Sequence, residues 1–431
     1  MLPRQFLTAT LAQHPRGATV TRILAAALQA VTPQNLRYPH LAEILPRLDG
    51  KVLVLGLGKA SAGMVAALGD SLADHTHLGL LIPKQAPVQA LAGFEVIPGG
   101  HPLPDENSLR AGRRALELAG GLGENDLLLC LISGGGSALM TSPHPGLSLD
   151  DLQHLTSALL ACGARIDEIN ILRRHLDRVK GGGLARASYP ARVVSYILSD
   201  VVGNPLEAIA SGPTAPDPTS RGDALDVLSK YDLSDKVPAA VLRVLENAPE
   251  TPKPGERVFA RVDNILVGSN ALAAQAALAQ ARAEGFQTRF LGDGWQGEAR
   301  AVAETLCDRL KMERLPRPFC LVAGGETTVS LRGAGLGGRN LELALAAASA
   351  LSGLADVLLV TLATDGEDGP TDSAGAVVTG ETLLRAQALG LEASHFLERN
   401  DSYHYFSPLG DLLQPGPSGT NVNDLVFLFG F

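Results

Sequence analysis

Short, wholly apolar runs alternate with Ala- and Leu-rich stretches of helical period along almost the whole chain. "KVLVLGLGKASAGMVAAL" reads as strand, glycine turn and helix, and "GLLIPK", "FEVIPGG", "DLLLCLI" and "ARVVSYILSD" read as further strands. "ENSLRAGRRALELAGGL" reads as a helix with Asn107 or Ser108 near its cap. After a Pro-rich polar stretch, "NAPETPKPGE", the alternation restarts with "NILVGS", "QTRFLG", "FCLVAGGE", "VLLVTLATDG" and a closing "DLVFLF" as strands. Continuous apolar strands separated by helices imply an α/β fold of mostly parallel sheets covered on both faces.

At 431 residues the chain exceeds one hydrophobic core, so two domains are expected, with residues 246–258 as the linker region. A net charge of −9 argues against nucleic acid, whose phosphates need a basic face. No apolar run approaches the roughly 20 residues of a membrane helix. The cysteines Cys130, Cys162, Cys307 and Cys320 form no CxxC pair, which fits reduced cytosolic thiols and a cytoplasmic location. Arg4, Arg16, Arg22 and Arg37 precede the first acid, Glu43, and leave open a targeting leader. The alternative is an amphipathic helix, "ATVTRILAAALQAV", with Ile23, Leu24, Ala27 and Leu28 on one face.

In parallel sheets ligands gather at the carboxyl ends of strands, so the turns after each strand carry the chemistry. In "GLGKAS" Lys59 stands at a helix start, where anions are favoured, or on a plain solvated turn. The stretch is neither a Walker A motif nor GxGxxG. "SGGGS", Ser133 to Ser137, can turn the amides of Gly134, Gly135 and Gly136 toward one anion as a nest. Asp200 ends an apolar strand and serves a metal, a hydroxyl proton or a cap. Glu326 ends another strand, and Arg339 starts a helix on the wrong side for its dipole, so an anion must offset it. "ATDGEDGPTDSAG" gathers Asp365, Glu367, Asp368 and Asp372, a divalent-cation candidate that is no EF-hand, or a solvated acidic turn. "RRHLDRVKGGG" and the Thr420, Asn421 and Asn423 of "GTNVND" are weaker signals, and His101 is isolated.

Taken together in this order, "GLGKAS", "GGHPLPDENS", "LISGGGSAL", "NILRRHLDRVKGGGLA", "ILSDVVGNPLEAIASGPT", "GGETTVSLRGAGLGGRNLELAL", "ATDGEDGPTDSAGA" and "SGTNVNDL" resemble the class II glycerate kinases, the glycerate 2-kinase family whose C-terminal part is the MOFRL domain. The resemblance spans residues 56–425. It implies two Rossmann-like three-layer α/β/α domains with an interdomain cleft: residues 1–245 and 259–431, the segment 1–45 being free to pack on the second. It also implies ATP- and Mg²⁺-dependent phosphorylation of D-glycerate at the 2-hydroxyl by a monomer or homodimer, with no nucleic acid or membrane partner.

The roles it suggests place Ser133–Ser137 at the nucleotide phosphates, and Lys59 and Arg339 at the transferring group. Asp200 and Asp365 would hold Mg²⁺, or Asp200 would orient the 2-hydroxyl. Glu326 and Asn421, with Lys59 and Arg339, would bind substrate. Asn204 stands where many relatives carry Asp, which puts a second carboxylate role there in doubt. The rival readings are an NAD(P)H-dependent hydroxypyruvate reductase, which wants a dinucleotide fingerprint that "GLGKAS" lacks, and a non-catalytic sensor of phosphorylated metabolites.

Overall fold

The computed structural model describes residues 1–72, 77–89 and 91–431. The chain divides into two compact units, Leu36–Val267 and a second that joins Met1–Asn35 to Gly268–Phe431.

The first unit is built on six strands: β1 (Val52–Leu57), β2 (His77–Ile82), β3 (Phe94–Val96), β4 (Leu127–Ile132), β5 (Arg192–Leu198) and β6 (Val262–Gly268). Their order is β3-β2-β1-β4-β5-β6. The pairs β1–β2, β1–β4, β2–β3 and β4–β5 are all parallel. β1 and β4 are buried along their whole length because both faces of the sheet are covered. Leu53, Leu55, Leu128, Cys130 and Ile132 share a core with Ala111 and Ala115 of the helix Glu106–Gly120, while the helix Ser61–Leu72 packs on β1, β2 and β4. Asp105 caps Glu106–Gly120, accepting from Ser108 N, ahead of the two residues expected. A separate all-helical cluster, including Leu155, Leu172, Leu228 and Val241, lies outside the sheet core. The Pro-rich stretch 246–258 falls within this unit, because the strand after it, β6, completes the first sheet rather than opening the second.

The second unit holds β7 (Gln287–Phe290), β8 (Trp295–Glu298), β9 (Phe319–Thr328), β10 (Val357–Ala363), β11 (Gly375–Thr379), β12 (Leu412–Leu413) and β13 (Asp424–Gly430). Their order is β12-β11-β10-β13-β9-β7, with β8 also on β9. Here the expectation of a mostly parallel sheet needs correction. β9 is parallel to β7 and β8, but β13 runs antiparallel to both β9 and β10, and β11 antiparallel to β10 and β12. Alternate residues separate the two faces. Leu321, Ala323, Leu359, Val426 and Leu428 pack with the helices Ala299–Met312 and Arg339–Leu351. Val322, Leu358, Val360, Phe427 and Phe429 are buried on the other face, where the helix Asn270–Ala283 meets β7, β9 and β13.

The helix Gly17–Val31 lies on Asn270–Ala283, burying Val20, Ile23, Leu24, Leu28 and Val31. Arg22 pairs with Glu284 at 2.6 Å, and Arg16 lies 5.2 Å above the Phe286 ring. All the cysteines are free, and Cys162 alone is exposed. Among the described residues no helix is long and apolar enough to cross a membrane.

Candidate active site

In the first unit the chain order reverses between β1 and β4: β2 and β3 lie on one side, β5 and β6 on the other. Such a switch point opens a crevice at the carboxyl ends of the two strands. The turns Gly56–Ser61 and Ser133–Ser137 both leave the sheet there. They are laced together: Lys59 N donates to Gly134 O at 3.0 Å, and Ala60 N donates to Ser133 Oγ at 3.0 Å. Gly58, at φ +115°, has no room for a side chain, since a Cβ would fall 2.4 Å from Ser133 O.

Asp200 joins the same place. A Cβ on Gly134 would sit 1.8 Å from Asp200 Oδ2, so the glycine is the space the carboxylate occupies. Gly135, at φ +83°, has its open side against His101 and the Lys59 stem, 3.1 and 3.2 Å from where a Cβ would be. The short helix Gly136–Leu139 begins immediately after, and first-turn amides have no carbonyl within the helix to bond. Burial raises the Asp200 carboxyl above the usual range, with Lys59 pulling the other way. Burial and the charges of Lys59 and Lys84 lower the His101 imidazole, so it sits neutral. Ser137 Oγ lies 2.7 Å from Ser211 Oγ, whose turn holds Ala210 and Ser211 at φ +51° and +58°, a strained conformation for residues with a Cβ. Asn204 takes φ +55° in the turn after Asp200, a conformation asparagine and aspartate both tolerate.

In the second unit, Arg339 Nη1 donates to Glu326 Oε1 at 2.9 Å, and Nε and Nη2 donate to Asp424 at 2.5 and 3.2 Å. These carboxylates supply the anions that a cation at this helix start requires, so its placement alone does not call for a ligand. Burial works against the guanidinium's charge, but Asp424, Glu326 and Asp368 outweigh it and hold Arg339 firmly charged. Asp424 opens β13, opposite Gly325 of β9 and Ala363 of β10, and so reaches the same sheet edge as Glu326. Asn270 Nδ2 steadies that edge by donating to Val422 O and Asp424 O.

The acidic turn does not act as one cluster. Asp368 accepts from Asn340 N at 3.1 Å and Leu341 N at 2.8 Å, capping the helix that carries Arg339. Gly338 is bare because Asp368 Cγ lies 2.4 Å from its would-be Cβ. Asp372 accepts from Tyr403 OH. Asp365 accepts from Glu367 N and, with Arg339 and Asp368, lines a cavity of about 800 Å³. Asn421 Oδ1 is taken by Asn423 N, which leaves its Nδ2 as the donor. Among the described residues no three His, Cys, Asp or Glu side chains converge as metal ligands, and Asp200 and Asp365 belong to different units.

Sequence reasoning missed Asp424, the capping role of Asp368, and His101 as a neighbour of the glycine turn. His101 and Ser211 lie in quoted motifs, but only the fold brings them to the glycine turn. In "RRHLDRVKGGG" the structure uses Arg174 and Lys180 in buried pairs with Asp217 and Asp177.

The fold and site define an α/β protein with a glycine-rich turn at a topological switch point and a carboxylate-clamped arginine in a second unit. Residues 19–246 match the family "Domain of unknown function (DUF4147)", and residues 319–424 match the MOFRL family. The chain is 41% identical to the D-glycerate 2-kinase of Thermotoga maritima, over 94% of this chain and 96% of that one. It is 39% identical, over 94% and 92%, to a protein of Agrobacterium vitis that carries a provisional name as a hydroxypyruvate reductase. The crystal structure of glycerate kinase from T. maritima superposes with a TM-score of 0.88 at 40% identity, covering 95% of this chain and 98% of that one. The chain belongs to the MOFRL-type glycerate 2-kinase family, the one its motifs resemble.

Proposed function

We propose that this protein transfers the terminal phosphoryl group of ATP to the 2-hydroxyl of D-glycerate, giving 2-phospho-D-glycerate and ADP. The substrate comes from the relatives' names. The geometric observation that carries the chemistry is the bare Gly134–Gly135 backbone, set between Asp200 on one side and Lys59 with His101 on the other. Phosphoryl transfer asks a protein mainly for positioning and for neutralisation of charge on the phosphate oxygens. The amides of Gly134 to Ser137 and the Lys59 ammonium supply both.

Asp200, its carboxyl raised by burial, is the group to accept the 2-hydroxyl proton or to share a divalent cation with the phosphates. Mg²⁺ needs few protein ligands, since it keeps several waters and takes one or two carboxylates plus substrate phosphates. A single carboxylate beside an anion turn fits that habit, and the ion would supply further charge neutralisation. Asp365 remains the second candidate for it. Glu326, Asn421 Nδ2 and Arg339 are assigned to D-glycerate, with Asp424 fixing the guanidinium.

The reductase reading loses support at β2, where a dinucleotide fold wants an acid; Ile82 is followed by Pro83 and Lys84. Phosphorus NMR of the products from ATP, Mg²⁺ and D-glycerate tests the proposal: a 2-phosphoglycerate resonance is expected. Its absence, together with NADH oxidation in the presence of hydroxypyruvate, would overturn it.

A further inference from the structure

The segment that follows the glycine turn is held by an ion pair buried beneath it. Lys180 and Asp177 are each 4% exposed. Lys180 Nζ donates to Asp177 Oδ2 at 2.7 Å and to Met140 O at 2.9 Å. Asp177 also accepts from Thr141 Oγ1, from Ser142 N at 3.1 Å and from Val179 N at 2.9 Å. One pair of side chains therefore fixes Met140, Thr141 and Ser142, the residues directly after the helix Gly136–Leu139.

The same loop reaches the turn from another direction. Gly181 N donates to Ser211 O at 2.9 Å and Gly182 N to Gly212 O at 2.7 Å, at φ +52° and +82°. Ser211 Oγ then meets Ser137 Oγ at 2.7 Å. Ser137, Thr141, Asp177 and Lys180 line one cavity of about 40 Å³, together with leucines of the helices Leu149–Ala161 and Ile166–His175. Backbone packing adds to the confinement: a Cβ on Gly112 would fall 2.1 Å from Thr141 O.

A buried ion pair seldom adds net stability over apolar residues of similar size, because both charges must be taken out of water. Here the pair is joined to three consecutive residues, through the Met140 carbonyl, the Thr141 hydroxyl and the Ser142 amide, instead of to solvent. We propose that Asp177 and Lys180 are positioning residues for the phosphate turn: they set where Ser137 and the Gly134–Gly136 amides stand, and touch no ligand themselves. The kinetic part of this inference rests on the kinase reading above; the structural part does not.

The test compares wild type with the double variant Asp177→Asn/Lys180→Met, which removes both charges while keeping side-chain size. Hydrogen exchange without ligand should quicken at residues 134–142 and leave the rest of Leu36–Val267 unchanged. KM for ATP should rise about 10- to 100-fold, as expected when a positioning contact slips by about an ångström, while KM for D-glycerate stays within about twofold. If the double variant does not fold, Thr141→Val carries the comparison, since it cuts one tether between Asp177 and the loop while leaving both charges of the pair in place. A folded variant with unchanged exchange at 134–142, or with exchange raised evenly through the unit, overturns the inference. So do kinetic constants within twofold of wild type. If wild type itself makes no phosphoglycerate, the kinase reading fails, and the exchange result alone then decides this one.

Discussion

Removing the guanidinium of Arg339 would leave Asp424, with a side chain only 8% exposed, facing Glu326 with no cation between them. Breaking a buried pair by deleting one partner costs more than the pair contributes, because a charge stays behind out of water. Arg339→Ala is therefore expected to lower the melting temperature as well as turnover. A cation at a transferring phosphoryl or its substrate can be worth on the order of 10³-fold in rate, about 4 kcal/mol. The double variant Arg339→Ala/Asp424→Asn should recover most of the lost stability and none of the rate. Steady-state kinetics and thermal melts of both check this; a single variant that kept more than about a tenth of wild-type turnover would remove Arg339 from the mechanism.

Asp200 should show the opposite balance. Its folded carboxyl is raised by burial, so ionising it costs the folded state more than the unfolded chain. That cost is absent below the ordinary carboxyl pKa, where both states are protonated, and is fully present above the folded one. Asp200→Asn should thus melt higher than wild type at pH 7 and abolish turnover. The stability gap should narrow as pH falls into the carboxyl range. A variant that melted lower at pH 7 would contradict the burial argument.

At the scale of elements, the helix bearing Arg339 begins only where Asp368 can take its amides. Burial, helped by the charge of Asp424, pushes the Asp368 carboxyl up to about 6 against the pull of those amides. A carboxyl raised in the fold favours the protonated folded state, so this group's stabilising share is present below about 3.8 and is lost as pH rises toward 6. The ionised form is nevertheless the better acceptor for the helix amides. Activity is therefore expected to climb through pH 6 as Asp368 ionises and firms the start of the Arg339 helix. In Asp368→Asn that limb of the kcat/KM profile should flatten; an unchanged limb would assign it to another group.

The element scale also shows what was legible in the sequence. The glycine turn, Lys59 and Asp200 could be read because β1, β4 and β5 are parallel, and each delivers the residue after it to one edge. Asp424 could not. "DLVFLF" has the unbroken apolarity of a doubly covered parallel strand, and nothing local marks it as running backwards. In an antiparallel strand the residues before it reach the ligand-side edge; Thr420, Asn421 and Asn423 can be picked out there as polar residues ahead of the strand, but Asp424 reads only as the first residue of the apolar run. Arg339 drew notice for a sound electrostatic reason, but the anions that answer it come from Glu326, thirteen residues upstream, and Asp424, eighty-five residues downstream. Sequence spacing carries no trace of that meeting.

At the scale of the whole molecule, the two ends of the chain fold into one unit. Thr10 Oγ1 donates to Asp411 Oδ2 at 2.8 Å, Thr420 Oγ1 donates to Val31 O at 2.8 Å, and Gln5 Nε2 donates to Pro415 O at 2.9 Å. Apolar burial contributes more than these hydrogen bonds. Val20, Ile23, Leu24, Leu28 and Val31 are all fully buried. At roughly 1.5–3 kcal/mol for each large side chain, their burial is worth on the order of 10 kcal/mol. A domain's whole stability is about 5–15 kcal/mol, so a unit lacking this helix has little or nothing left. The only tryptophan, Trp295, lies in β8 and reports on this unit alone. A chain of residues 36–431 should therefore lose the cooperative Trp295 fluorescence transition, and a peptide of residues 1–35 added in trans should restore it. A Trp295 transition that persisted at the wild-type midpoint without the peptide would show that the N-terminal helix decorates the unit's core and does not complete it.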